Sequence, residues 1–276
     1  MVTAKNIPQA AYGVLQKDTF QLDYDEIAEQ VRRLGYAILD SGYSAQHLKS
    51  LSDAFDMACQ QYVNTWGDDR LRSINERYTL RALLTYGGPL FMELAMNDHL
   101  LAVLRRLISG KFILNQQNGV INPPRESYNQ GAWHRDLPYQ HFVSSTPLAI
   151  NALFCIDHFT LDNGSTFVLP GSHKVSAFPS DKYRERNAVQ VEAKAGQYIL
   201  LDCMLFHSGG FNTTQTQRRA VNHVYTIPYF KQQIKLPGNI DENGLSGQAR
   251  ELLGFGYQEP LSVEQYLASR FKIQES

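Results

Sequence analysis

In the run Gly131-Ala-Trp-His-Arg-Asp-Leu-Pro-Tyr139, two side chains carry chemistry at a useful spacing: His134 and Asp136, one residue apart. On an extended backbone, residues i and i+2 point to the same side, so both can reach one ion while Arg135 turns away. A third ligand must come from elsewhere. His207 follows Leu200-Leu-Asp-Cys-Met-Leu-Phe and precedes Ser-Gly-Gly, which reads as a strand leading into a glycine-rich bend that aims a side chain inward. Two imidazoles and one carboxylate on one face of an ion, with the other positions open, suit iron(II) and dioxygen. Arg218 stands eleven residues beyond His207. A guanidinium there can grip a dicarboxylate cosubstrate by two parallel hydrogen bonds. The pattern implies an iron(II)- and 2-oxoglutarate-dependent oxygenase.

His-x-Asp alone arises often by chance, so the weight lies on the combination of the pair with an upstream Trp, a His after an apolar run and an Arg at the right distance. The remaining histidines have plainer readings. His47 and His99 fall in helical sequence, His158 at a strand end, and His173 in the turn Pro170-Gly-Ser-His, where a hydrogen bond is the expected role. The same three ligands would also hold zinc. No general-base glutamate accompanies them, which argues against a zinc hydrolase.

The elements that must position these groups come in two blocks. Tyr24 to Gly35 has apolar residues at Ile27, Val31 and Leu34, acids early, arginines late and a terminal glycine, the order a helix dipole and C-cap favour. Ser44 can cap a second helix to about Val63, with Leu48, Leu51, Phe55 and Cys59 on one stripe. A third helical stretch runs from about Leu90 to Ile108 and breaks near Asn97-Asp98. After Gly110 short β-prone runs alternate with turn signals: 111–118, 149–157, 166–169 after the turn Asp162-Asn-Gly-Ser, 188–192, 197–202 and 219–227. Strands at such spacing predict a jelly-roll sandwich or barrel. The tail returns to helical pattern at 247–253 and 262–270. We expect one domain over residues 1–276, with a helical part to about 110, a β core over about 111–230 and an extension over 231–276.

Composition narrows the class. The chain has 276 residues, 43% of them hydrophobic, enough for a packed core. Its 26 Lys and Arg balance 27 Asp and Glu, so no basic excess points to nucleic acid or an anionic membrane. Cys59, Cys155 and Cys203 are too few and too far apart for a disulfide framework. No apolar stretch nears the ~20 residues that span a bilayer. The start lacks the apolar core of a signal peptide, so the cytoplasm is the expected location. Oligomeric state has no signature.

Four motifs resemble the phytanoyl-CoA dioxygenase family of iron(II)/2-oxoglutarate oxygenases: Ile121-Asn-Pro-Pro, Trp133 to Tyr139, Asp162-Asn-Gly-Ser-Thr-Phe-Val-Leu-Pro-Gly-Ser-His173, and His207 through Arg218. The resemblance extends from about Gly35 to Tyr229. It implies a mainly β fold with helical decoration, a cupin-like double-stranded β-helix whose N-terminal helices pack on one sheet. It makes His134, Asp136 and His207 the iron ligands and the catalytic centre, with 2-oxoglutarate as cosubstrate and O2 as oxidant. Arg218 becomes the partner of the far carboxylate. Its rival Arg219 would face the other way as a solvated charge, because alternation lets only one of them point inward. Asn222 shares the face of Arg218, and Asn118 holds a strand position where the family places a polar contact to the cosubstrate. Substrate contacts are expected from Tyr139, Tyr128, Arg125 and a helical segment around Asn75 to Leu84, with ordinary packing the plainer role for the tyrosines.

In relatives that halogenate, a small residue replaces the carboxylate. Asp136 therefore points to hydroxylation of a small-molecule metabolite at an unactivated C–H, with release of succinate and CO2. Desaturation, ring closure or epimerisation are alternatives, as is a non-catalytic cupin-like scaffold.

Overall fold

A computed structural model describes residues 7–8, 10–137 and 143–274. Helix α1 spans Asp23–Leu34 and ends where Gly35 adopts φ 87° and returns its N–H to the Val31 carbonyl. Strand β1 follows at once, Tyr36–Asp40. Helix α2 covers Ala45–Trp66, and Ser44 caps it by accepting the His47 N–H at 3.2 Å. Helices α3 (Asp68–Ser73), α4 (Pro89–Ala95) and α5 (Asp98–Leu107) complete the N-terminal block, with the two-residue strand β2 at Thr79–Leu80. The expected break is real, because Asn97 caps α5 through the Leu100 N–H at 3.0 Å. The strands β3 (Ile113–Asn122), β4 (Ala149–Cys155), β5 (Thr166–Val168), β6 (Val189–Val191), β7 (Gln197–Asp202), β8 (His207–Gly209) and β9 (Arg218–Thr226) follow, with α6 (Asp181–Asn187) between β5 and β6. The chain closes with α7 (Gly247–Leu253) and α8 (Val263–Gln274).

The strands form two antiparallel sheets, one in the order β1-β7-β4-β9-β3-β2 and one in the order β6-β5-β8. This is a double-stranded β-helix, a distorted jelly roll. Period-2 alternation sorts the large sheet into two faces. Ala37, Leu39, Ile121, Ile150, Ala152, Phe154, Leu200, Val221 and Tyr225 point outward and pack with Leu51, Phe55, Phe91, Leu94, Leu100 and Leu104 of the helices. Each fully buried Phe or Leu there contributes roughly 1.5–3 kcal/mol. Leu153, Cys155, Ile199, Leu201 and Ala220 point inward, against Val168 and Val191 of the small sheet. Arg218, Asn222 and Asn151 share that inner face, so the site lies between the sheets. Among the described residues no helix is long and apolar enough to cross a membrane.

The structure differs from expectation in three places. The segment 75–84 is not helical: it turns at Asn75, pairs as β2 with β3 and passes into a 3-10 turn at Leu83–Thr85. Strand β1 is hidden in sequence by its direct attachment to α1 and is stabilised by pairing with β7. The supposed bend at His207 is itself a strand, β8. Its three residues have no β pattern of their own and owe their conformation to pairing with β5.

Candidate metal centre

Two chain segments meet to form the site. His134 and His207 form an antiparallel bridge, each N–H donating to the other's carbonyl, at 2.9 and 3.0 Å. Two residues on, the Asp136 N–H donates to the Cys203 carbonyl at 3.1 Å. The segment 134–136 thus lies as an extended strip along 203–207, and its alternate side chains face one point. The ligand atoms of His134, Asp136 and His207 all lie within 4.8 Å of one another. Asp136 Oδ1 stands 3.7 Å from His207 Nε2 and 4.0 Å from His134 Nε2.

Each imidazole is fixed by its other nitrogen. His134 Nδ1 lies 2.7 Å from the Ala132 carbonyl, and His207 Nδ1 lies 3.0 Å from the Leu205 carbonyl. A carbonyl only accepts, so Nδ1 carries the proton and Nε2 keeps its lone pair toward the cluster. Burial, opposed by Asp136 and reinforced by His134, pulls His207 below its ordinary range, which favours the neutral form a metal requires. Asp136 and His207 are nearly buried and His134 is 30% exposed, so the cluster opens on the His134 side. Two imidazole nitrogens and one carboxylate oxygen on one side fit a ferrous ion with free positions.

The motifs around the cluster support it. Arg135 faces away, as alternation requires. Its guanidinium donates to the carbonyls of Ser172, Val175 and Ser176 at 3.0, 2.6 and 3.1 Å and lies 3.9 Å from the Phe206 ring centroid. Ser172 Oγ accepts the Phe206 N–H at 3.0 Å, and His173 contacts the Arg32 carbonyl at 3.1 Å, a hydrogen-bonding role. Asn122 donates to the carbonyls of Gly164 and Gly210 at 3.1 and 2.9 Å. Gly164 has φ +72°, and a Cβ there would sit 2.3 Å from the Gly210 oxygen. A Cβ on Gly209 would meet the Tyr128 hydroxyl at 1.9 Å.

Arg218 and Arg219 separate as alternation predicts. Arg218 is 3% exposed, its guanidinium 3.9 Å from the Phe159 ring centroid, with Nη2 donating to the Tyr128 hydroxyl at 3.3 Å. Its Nε has no partner, and no carboxylate among the described residues pairs with it. Burial lowers the affinity of this guanidinium for its proton, and Tyr128 opposes the shift. A buried, unpaired cation is costly, so the pocket is built for an anion. Arg219 is not the solvated charge expected. It is held by Asp157 at 2.7 Å and by Asp56 at 2.7 Å, which clasps α2 onto β9.

The other sequence candidates are placed as follows. Asn118 faces Asn222 across β3 and β9. Asn118 accepts the Ala82 N–H at 3.2 Å and donates to Gln233 at 3.2 Å, while Asn222 Oδ1 is buried without a partner. Tyr128, expected at the substrate, has its hydroxyl on Arg218. Arg125 is exposed on a left-handed residue and bonded to the Thr213 carbonyl at 3.4 Å, so it joins the 212–213 loop and not the cluster. Tyr139 lies outside the described residues. Asn151 escaped notice in sequence: it donates to Asp136 Oδ2 at 2.7 Å. A polar residue inside the apolar run 149–157 was the available signal.

Residues 31–220 match the family described as phytanoyl-CoA dioxygenase. An uncharacterized protein of Mycobacterium tuberculosis is 33% identical over 215 residues, covering 76% of this chain and 78% of that one. A dioxygenase of Aspergillus fumigatus, af480, is 28% identical over 176 residues, covering 60% and 55%. The fold is like that of EctD from S. alaskensis, a structure with 2-oxoglutarate and 5-hydroxyectoine. Its TM-score is 0.60 at 23% identity, over 72% of this chain and 74% of that one.

Proposed function

The chain belongs to the phytanoyl-CoA dioxygenase family and is an iron(II)/2-oxoglutarate-dependent oxygenase, and from that premise we propose that it hydroxylates an unactivated C–H of a small-molecule metabolite. In this reading His134, Asp136 and His207 hold iron(II), and Arg218 receives the far carboxylate of 2-oxoglutarate. The observation that carries it is the pairing of an open His-Asp-His cluster with a buried guanidinium that pairs with no carboxylate among the described residues. Bound together, iron(II), 2-oxoglutarate and dioxygen supply the oxidation, with succinate and carbon dioxide released and one oxygen atom left on the substrate carbon.

The chain's own part is binding, orientation and shielding. The carbonyls of Ala132 and Leu205 accept from the two Nδ1–H groups and keep both Nε2 atoms turned inward. Arg218 fixes the cosubstrate by charge, with Tyr128 setting the angle of its guanidinium and Phe159 covering it from water. Asn222 offers a buried carboxamide oxygen with no partner among the described residues, on the face that carries Arg218, and Asn118 stands opposite it in β3. The retained carboxylate of Asp136 supports hydroxylation over halogen transfer. Desaturation, ring closure and epimerisation draw on the same oxidation and differ only in substrate pose.

The test is a lysate supplied with the protein, ferrous iron and 2-oxoglutarate. We expect succinate to form and one metabolite to gain a single oxygen by mass spectrometry. Succinate no higher than in a metal-free control would overturn the reading, and a product short of two hydrogens would replace hydroxylation by desaturation.

A further inference from the structure

We propose that Asn151 is a positioning residue that holds one oxygen of Asp136 back from the metal, so that the carboxylate binds through a single atom and the remaining positions stay open. The inference rests on the reading of His134, Asp136 and His207 as iron ligands. Asp136 presents its two oxygens differently. Oδ1 faces both Nε2 atoms, whereas Oδ2 accepts from Asn151 Nδ2 at 2.7 Å. A carboxylate only accepts, so this contact fixes which end of the carboxamide faces it. The other end, Asn151 Oδ1, is buried with no partner among the described residues. The bond to Asp136 is therefore the one hydrogen bond this side chain makes there.

The surroundings explain why one bond suffices. Asn151 is 1% exposed and sits mid-strand in β4, paired with Leu201 of β7 and Val224 of β9. It cannot retreat without moving the centre of the large sheet. The Asp136 backbone is pinned on the other side, by the Cys203 carbonyl and by Arg135 with its three carbonyl partners. What remains free is rotation of the carboxylate about its own bond, and among the described residues Asn151 makes the hydrogen bond that restrains it. A freely rotating carboxylate can bind a cation with one oxygen or two. Two-oxygen binding would consume a position that a chelating cosubstrate needs.

The experiment separates metal binding from cosubstrate binding. Cobalt(II) affinity is read by calorimetry, and 2-oxoglutarate affinity by the visible absorption of the anaerobic iron-loaded protein. Asn151→Leu keeps the packing volume and removes the donor, and Asn151→Ala is a second variant should the first fail to fold. We expect cobalt affinity to stay within about threefold of wild type while the 2-oxoglutarate Kd rises at least about tenfold, on the order of the loss of one hydrogen bond. An unchanged 2-oxoglutarate Kd overturns the proposal. So does a parallel fall in cobalt affinity, cosubstrate affinity and apo-protein unfolding temperature, which would reduce Asn151 to packing. Failure of the underlying ligand assignment looks different, because wild-type protein would then bind neither cobalt nor cosubstrate.

Discussion

If Asp136 holds the metal and Arg218 the cosubstrate, as proposed, their removal should read out differently. Asp136→Ala takes away the only carboxylate of the cluster among the described residues. Anaerobic iron binding and succinate formation should both be lost, and full activity with iron retained would contradict the assignment. Arg218→Ala leaves the proposed metal ligands intact and removes the guanidinium proposed to grip the cosubstrate through charge-assisted hydrogen bonds. The 2-oxoglutarate KM should rise on the order of a hundredfold, for a loss of about 3 kcal/mol. Arg219→Ala breaks pairs with Asp157 and Asp56 on the outer face, so its effect belongs to stability and its KM should stay near wild type. Equal or reversed KM effects would mean that the wrong arginine was chosen. The spacing from His207 suggests this division, but the burial of Arg218 beside Phe159 and Tyr128 supplies its physical reason.

Among the elements, the turn before β5 lies against the residue that follows β8, its partner in the small sheet. Gly164 has a left-handed backbone and lies against Gly210, next to the donors of Asn122. Gly164→Ala adds a Cβ where a carbonyl oxygen already sits. It should cost on the order of 1–3 kcal/mol in urea unfolding, and weaken metal binding because β8 carries His207. A variant as stable as wild type would show that the turn relaxes freely. Helix signals were readable because capping is local: Ser44, Asn97 and Gly35 act within four residues of themselves. Short strands were not readable for the opposite reason. The conformation of β8 and β2 is stabilised by partners distant in sequence, β5 and β3.

For the molecule as a whole, the seam between sheet and helices carries a buried titration. His223 is fully buried on the outer face of β9. Its Nδ1 lies 3.0 Å from the Ala152 carbonyl and its Nε2 2.9 Å from Gln117, which also donates to the Phe91 carbonyl of α4. Burial pushes it down to about 4. The folded-state value lies below the unfolded one, so the unfolded chain binds the proton first. Stability from this residue is complete above about pH 6.5 and declines as pH falls toward 4. Between pH 7 and 5 the loss should be roughly 2 kcal/mol in urea unfolding, and His223→Gln should remove that part of the slope. An identical slope in the variant would assign the acid sensitivity to other groups.

The sequence alone determined what is local or periodic: the capped helices, the alternation of the long strands, and residue types that suit a ferrous site with a dicarboxylate anchor. These follow from backbone geometry and ligand chemistry, which act at short range. The tertiary structure decided what depends on two distant segments meeting. It joined 134–136 to 203–207, buried Arg218 while clasping Arg219 to α2, and set Tyr128 on the guanidinium. It also brought Asn151, an unremarked polar residue in an apolar strand, to the free oxygen of Asp136. Distances between side chains far apart in the chain arise from packing, and no spacing along the chain encodes them.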